Sequence, residues 1–373
     1  MDPRITKLAD LLVNFSCAAK PGERLLVEAI GTDTLPLVEE IVRVCAEQGV
    51  LVHHNIHDQG VLRAMLVSAT KEEQISELTK HALAQMKDMD CYIGVRGPSN
   101  VSELADVPAE QMGWYNKHYF DAVHIKERVA NTRWVVLRYP NFAMSQLAKM
   151  SRRAFEDFYF DVCTMDYARM SKAMDAIEGL MRETDRVEVK GPDTDLTLSL
   201  KGLPAIKCDG HLNIPDGECF SAPVKDSVNG TIKFNAGSIY EGKVFGPIKL
   251  TFKDGKCVEV DAGASTAAVE AVLDRDAGAR YVGEFALGVN PHITKPMLDT
   301  LFDEKIGGSL HMAMGNSYDD CKNGNDSQIH WDLVHIQTPE YGGGEIYFDG
   351  KLIRKDGLFV HEALLGLNPD QLK

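Results

Sequence analysis

Two domains of different architecture are predicted by the sequence: an α/β domain with a parallel sheet over residues 1–184, and an α+β domain with mainly antiparallel strands over residues 185–373. Three observations predict them. Strand-type and helix-type patterns alternate through the first half. From residue 185 the texture changes to period-two strands separated by turn residues. A length of 373 residues corresponds to about two domains of ordinary size.

In the first half, residues 24–29 (RLLVEA) are a short apolar run of strand type. Gly31 and Thr32 follow, residues 35–46 have helical spacing, and Gly49 is placed to end that helix as a C-cap glycine. Residues 50–56 read as the next strand, 71–86 as a helix, 91–95 and 133–137 as strands. Residues 155–182 form one long amphipathic pattern that is expected to bridge to the second half. There, residues 187–190 and 196–200 alternate with period two. Residues 248–260 and 345–354 read as hairpins turned at Asp254-Gly255 and Asp349-Gly350. Residues 269–273 and 296–302 are expected to be short helices. No internal repeat or low-complexity segment interrupts the chain.

Composition removes several function classes. The chain is 44% hydrophobic and 25% charged, with a net charge of -15, which places it among ordinary globular proteins. Phosphate binding requires a basic footprint, and none is visible, so nucleic acid is not the expected partner. An anionic membrane surface is disfavoured for the same reason. The eight cysteines are scattered without a CxxC pair, the usage of a reduced intracellular protein rather than a disulfide framework. The amphipathic run at residues 5–15 is broken by Lys7, Asp10 and Asn14 and is not followed by a signal-peptide pattern. No stretch reaches the roughly 18 apolar residues of a membrane helix. A soluble, cytoplasmic protein is expected. No nucleotide-binding glycine loop and no Gly-x-Ser-x-Gly elbow occurs.

Ligand-type side chains concentrate in residues 307–332. His330 and Asp332 stand at i and i+2, so on a strand they face one way while Trp331 faces the other. Imidazole and carboxylate together suit Zn, Mn, Co or Fe. His311 follows Gly307-Gly308, and Tyr318 lies seven residues beyond it. Upstream, Glu218 occupies a turn leading into a strand, and Glu284 sits alone in an apolar stretch between Gly283 and Gly288. A carboxylate there is costly to bury unless paired or coordinated. Taken singly, a His-x-Asp on a strand is more often structural than ligating, and these residues alone leave a metal site open. The run His53-His54-Asn55-Ile56-His57-Asp58 also looks like a ligand cluster, but a histidine-rich sheet edge or a supporting wall of the cavity is the better reading of it. His118, His124, His292, His335 and His361 have no ligand-type spacing, and residues 341–345 read equally as a substrate-side loop or a turn.

The set Glu218, Glu284, His311, Tyr318, His330 and Asp332 resembles the metal-ligand pattern of the M29 metallopeptidase family, the thermophilic aminopeptidase or aminopeptidase T group. The surrounding segments are similar as well: IPDGECFSAPVKDSVNG, YVGEFALGVNP, GGSLHMAMGNSY and IHWDLV. The resemblance covers nearly the whole chain and is most specific over residues 211–350. It implies an aminopeptidase with two divalent metal ions (Zn, Co or Mn) held by those six side chains, a peptide substrate and a homodimer. Two ions about 3.5–4 Å apart can acidify one water, polarise the scissile carbonyl and anchor the free amine. Within that implication Glu284 is the expected bridging carboxylate and proton relay. Tyr318 is either a ligand or a hydrogen-bond donor to the oxyanion.

Two other readings compete. His311, His330 and Asp332 alone form the two-histidine, one-carboxylate set of non-haem Fe(II) oxygenases, and ring-cleaving dioxygenases of dihydroxypyridines resemble this peptidase family. Such an enzyme has no need of both Glu218 and Glu284. A non-catalytic binding protein retaining the fold is expected to have lost a ligand, and all six are present.

Overall fold

The computed structural model describes residues 2–373. The chain divides into two compact units, residues 1–164 with 210–214, and residues 165–209 with 215–373. The first unit carries a five-stranded sheet in the order Leu51–His57, Arg24–Ile30, Cys91–Arg96, Arg133–Arg138, Asn213–Ile214, with every neighbouring pair parallel. Helices Leu35–Glu47, Gln59–Ser68 and Glu72–Lys87 separate the early strands. Arg24–Ile30 is an interior strand, and Leu25, Leu26, Val27 and Ala29 are all buried, as a strand covered on both faces requires. Leu51–His57 is an edge strand with His53 and His54 exposed, so the histidine run lies on a sheet edge.

The second unit holds an eight-stranded and a five-stranded sheet, and all of their strand pairings are antiparallel. The two expected hairpins form as Ile248–Lys253 with Lys256–Asp261, and Glu345–Phe348 with Lys351–Lys355. The five-stranded sheet runs His330–Ile336, Ser309–Gly315, Val282–Gly288, Glu218–Ser221, Ala205–Cys208. No helix among the described residues is long and apolar enough to cross a membrane.

Three expectations are corrected. The amphipathic pattern over 155–182 is two helices, Arg152–Cys163 and Tyr167–Glu183. Asp166 breaks it by leaving helical dihedrals and accepting from the Arg169 N–H, an N-cap that restarts the helix. The division between units falls at this break, ahead of residue 185, and residues 210–214 return to the first sheet through Asn213–Ile214. The helix expected over 296–302 is confined to Thr300–Asp303, because Leu298 adopts φ 61° and Asp299 caps the turn that follows.

Candidate metal centre

Cross-strand register gathers the ligand-type residues on one face of the five-stranded sheet. Glu284 pairs with Ala313, which pairs on its other side with Asp332. His311 pairs with Ala286, Glu218 with Gly288, and His330 with Gly315. Directly opposed residues point to the same face of an antiparallel sheet, as do residues two apart along a strand. Each acid or imidazole therefore has an alanine or glycine opposite it on one side, which leaves room between the larger side chains, while His311 also faces Val334 and Glu218 also faces Cys208. Trp331 occupies the other face, stacked on Tyr240 with ring centroids 4.9 Å apart and donating to Ser238 Oγ at 2.9 Å.

Glycines beside the cluster permit close backbone approach. A Cβ at Gly283 would lie 2.2 Å from the Asn316 carbonyl oxygen. That carbonyl lies 2.8 Å from His330 Nδ1. His311 Nδ1 likewise lies 3.2 Å from the Glu304 carbonyl. A carbonyl only accepts, so both imidazoles carry a proton on Nδ1 and turn Nε2 inward.

Inward, the Nε2 atoms meet carboxylates. His311 Nε2 is 3.3 Å from Glu218 Oε2 and 3.4 Å from Glu284 Oε1. His330 Nε2 is 3.2 Å from Glu284 Oε2 and 3.4 Å from Asp332 Oδ1. Glu284 thus directs one oxygen to each imidazole. Glu218 Oε2 and His330 Nε2 are buried without a hydrogen-bond partner. Ligand atoms of Glu284, His311 and Asp332 fall within 4.8 Å of one another, as do those of Glu218, Glu304 and His311. These orphaned atoms, and two adjoining donor sets that share His311, fit divalent cations. An imidazole whose far nitrogen donates to a backbone carbonyl is the usual metal-ligating arrangement.

The electrostatics show how much negative charge has been concentrated. Burial disfavours a charged His311, yet Glu218 and Glu284 outweigh it and hold its pKa at about 10. Burial likewise opposes charge on His330, and Asp332 and Glu284 raise its pKa well above the ordinary value. Burial pushes Glu304 up to about 8 against the pull of Lys305. Asp332 falls to about 2, because His330 overcomes the opposing effect of burial.

The structure thus brings together Glu218, Glu284, His311, His330 and Asp332. Tyr318 lies at the rim, its ring 4.5 Å from that of His330 and 45% exposed. Sequence reasoning missed four neighbours: Cys208, Asp216, Glu304 and Lys305. Lys305 Nζ lies 3.0 Å from Glu218 Oε1 and 4.0 Å from Asp216 Oδ1, and it also contacts the Glu304 carboxylate. Glu304 and Lys305 follow Asp303 in what reads as an ordinary charged helix end, so no local signal marked them.

In the first unit, a cavity of about 260 Å³ opens beyond the carboxyl ends of three parallel strands, lined by Gly31, Asp58 and Gly97 among others. It contains none of the predicted ligands.

A family model described as thermophilic metalloprotease (M29) matches residues 1–350. Aminopeptidase 2 of Geobacillus stearothermophilus is 26% identical over 417 residues, covering 95% of each chain. The structure of wild-type AmpT from Thermus thermophilus superimposes with a TM-score of 0.80 at 21% identity, over 96% of this chain and 99% of that one. A 2,5-dihydroxypyridine dioxygenase from Pseudomonas putida KT2440 superimposes at 0.63 with 11% identity, over 98% and 99%. The chain belongs to the M29 family of metalloproteases.

Proposed function

We propose that this metalloaminopeptidase of the M29 family removes N-terminal residues from peptides using two divalent cations, held by Glu218, Glu284, His311, His330 and Asp332 with Tyr318 at the rim. The observation that carries the reading is the charge of the cluster. The adjoining donor sets hold five carboxylates, those of Asp216, Glu218, Glu284, Glu304 and Asp332, and one ammonium, that of Lys305, which contacts Asp216, Glu218 and Glu304. The surplus of four negative charges equals the charge of two divalent ions, and charge buried on this scale must be compensated. Without cations the cluster is relieved only by holding protons, as the raised pKa values of His311 and Glu304 express.

When bound, a pair of such ions supplies Lewis acidity and lowers the pKa of water towards neutrality. The side chains do the rest. Glu284, with one oxygen towards each imidazole, is placed to bridge the two half-sites, to take a proton from the attacking water and to pass it to the leaving amine. Although 45% of the residue is exposed, desolvation of the Tyr318 hydroxyl and the Glu284 and Asp332 carboxylates push its pKa up. Its phenol can donate to an oxyanion or, beside a bound cation, ionise and serve as a ligand. Cleavage confined to the first peptide bond requires an enclosed cavity, which a homodimer would provide.

The dioxygenase reading draws on a shared fold, and fold alone does not choose a chemistry. The presence of both Glu218 and Glu284 in the cluster favours hydrolysis. The deciding experiment strips the enzyme with EDTA and reconstitutes it separately with Zn, Co, Mn and Fe(II). Leucine release from a leucyl peptide is measured beside oxygen uptake with dihydroxypyridine. Peptide cleavage restored by Zn, Co or Mn at two ions per chain is the expected result. Oxygen consumption in the Fe(II) sample alone, without cleavage, would overturn the proposal.

A further inference from the structure

We infer that Lys305 is a built-in cation that occupies a third metal position, between Cys208, Asp216 and Glu218, and so limits the centre to two ions. The inference rests on the two-metal reading above for the count of ions, but not for its geometry. Ligand atoms of Cys208, Asp216 and Glu218 lie within 4.8 Å of one another, a third donor set that adjoins the other two through Glu218. The ammonium of Lys305 meets this set at its carboxylates, 3.0 Å from Glu218 Oε1 and 4.0 Å from Asp216 Oδ1, and it also contacts the Glu304 carboxylate. Only 1% of the Lys305 surface is exposed. An ammonium removed from water is costly unless carboxylates compensate it, and Glu218, Asp216 and Glu304 do so here.

The surroundings hold this arrangement still. The Lys305 carbonyl accepts from Asn290 N at 3.0 Å, and its own N–H donates to the Phe302 carbonyl at 3.1 Å. The Asp216 carbonyl accepts from Asn290 Nδ2 at 2.8 Å, and Asp216 Oδ1 accepts from the Gly217 N–H at 3.1 Å. Asn290 therefore ties the lysine and the aspartate to one point.

Two consequences follow for Glu218. Its Oε1 is taken by Lys305 while Oε2 has no hydrogen-bond partner and faces His311, so the lysine presents Glu218 through a single oxygen. Its charge also neutralises one of the five carboxylates. Lys305 is in this sense a positioning residue, acting through Glu218 and by exclusion.

Cadmium(II) is the probe, because a soft ion selects thiolate and a Cd–thiolate bond adds an ultraviolet charge-transfer band. Full-length EDTA-stripped wild type and Lys305→Met are titrated with cadmium, and bound ion is counted by ICP-MS after gel filtration. The wild type should take up two ions with no thiolate band. Lys305→Met should gain one further ion together with the band, and the added Cys208→Ser change should abolish both gains. A band in the wild type, or a Lys305→Met protein that gains neither ion nor band, overturns the inference. A wild type that binds fewer than two ions retires the two-metal reading instead, while the band, absent in wild type and present in the variant, still reports on Lys305. Should Lys305→Met fail to fold by circular dichroism, wild-type crystals soaked in cadmium give the answer. An anomalous peak between Cys208, Asp216 and Glu218 would refute the assignment, and peaks confined to the two sets that share His311 would support it.

Discussion

Each unit of this chain buries a cluster of histidine and carboxylate, and the two clusters are built differently. In the first unit, Glu28 on the interior strand Arg24–Ile30 accepts from the Tyr92 hydroxyl at 3.0 Å and lies 3.6 Å from both His57 Nε2 and His124 Nε2. One carboxylate serves three partners there, and Arg128 lies nearby over the rings of Tyr92 and Trp134. His124 Nδ1 has no partner at all, and burial holds its pKa down at about 4. In the second unit carboxylates outnumber cations, and both imidazoles are fixed through Nδ1 by backbone carbonyls. Histidine beside carboxylate is therefore no metal signature by itself. What separates the two is surplus negative charge and the anchoring of the outer ring nitrogen, which aims the inner one.

The comparison can be broken at several points. The largest effect is expected from Glu284→Gln, which removes the carboxylate oriented towards both imidazoles. Peptide turnover should fall by more than about 100-fold, beyond the effect of losing an outer-shell partner of a metal ligand, with a native circular dichroism spectrum. Near-normal turnover would take Glu284 out of the mechanism. Next, His330→Ala or Asp332→Ala should reduce the metal content, read by ICP-MS, from two ions per chain towards one. Unchanged stoichiometry would exclude that half-site.

In the first unit, Glu28→Ala removes the shared partner of Tyr92, His57 and His124. It should cost about 1–3 kcal/mol in urea unfolding, the usual effect of leaving a buried hydrogen-bonding group such as the Tyr92 hydroxyl without its partner, while metal content stays the same. A loss of metal would erase the contrast between the two clusters. The smallest effect concerns acid. His124 titrates at about 4 when folded, below its ordinary 6.5, so the unfolded chain takes up the proton first as pH falls. Stability is then lost between about pH 6.5 and 4, by at most about 3 kcal/mol. His124→Phe should flatten this part of the pH profile. It will not abolish the slope, since burial also lowers His335 to about 4. An unaltered slope would show that His124 is solvated in solution. His57 has the opposite sign: the Glu28 hydrogen bond raises its pKa, so its contribution is full at low pH and fades as pH rises through the folded value.

Much of this was legible beforehand, and the remainder failed for identifiable reasons. The strand–helix alternation of the first half, the antiparallel second half and both Asp-Gly hairpins follow from local pattern. The opposed facing of Trp331 and the His330–Asp332 pair follows from the period of two. The pattern over 155–182 misled because amphipathic periodicity runs through the Asp166 cap without a change of phase. Lys305 was invisible because a lysine beside Asp303 and Glu304 looks like any solvated helix end. His124 carried no signal either, since its partner Glu28 lies 96 positions away on another element.

The sequence by itself determined which side chains share a face within one strand, and which chemical types were present to bind a cation. That information is local, written in periods of two and 3.6 residues. Only the tertiary structure decided the cross-strand register that brings Glu218, Glu284, His311, His330 and Asp332 over a floor of alanine and glycine. It alone placed the Lys305 ammonium among the carboxylates of Asp216, Glu218 and Glu304 and left Glu28 with a single negative charge for its partners. Register and burial arise from contacts between residues far apart in the chain, and charge compensation is a property of the assembled cluster, so no window of sequence contains them.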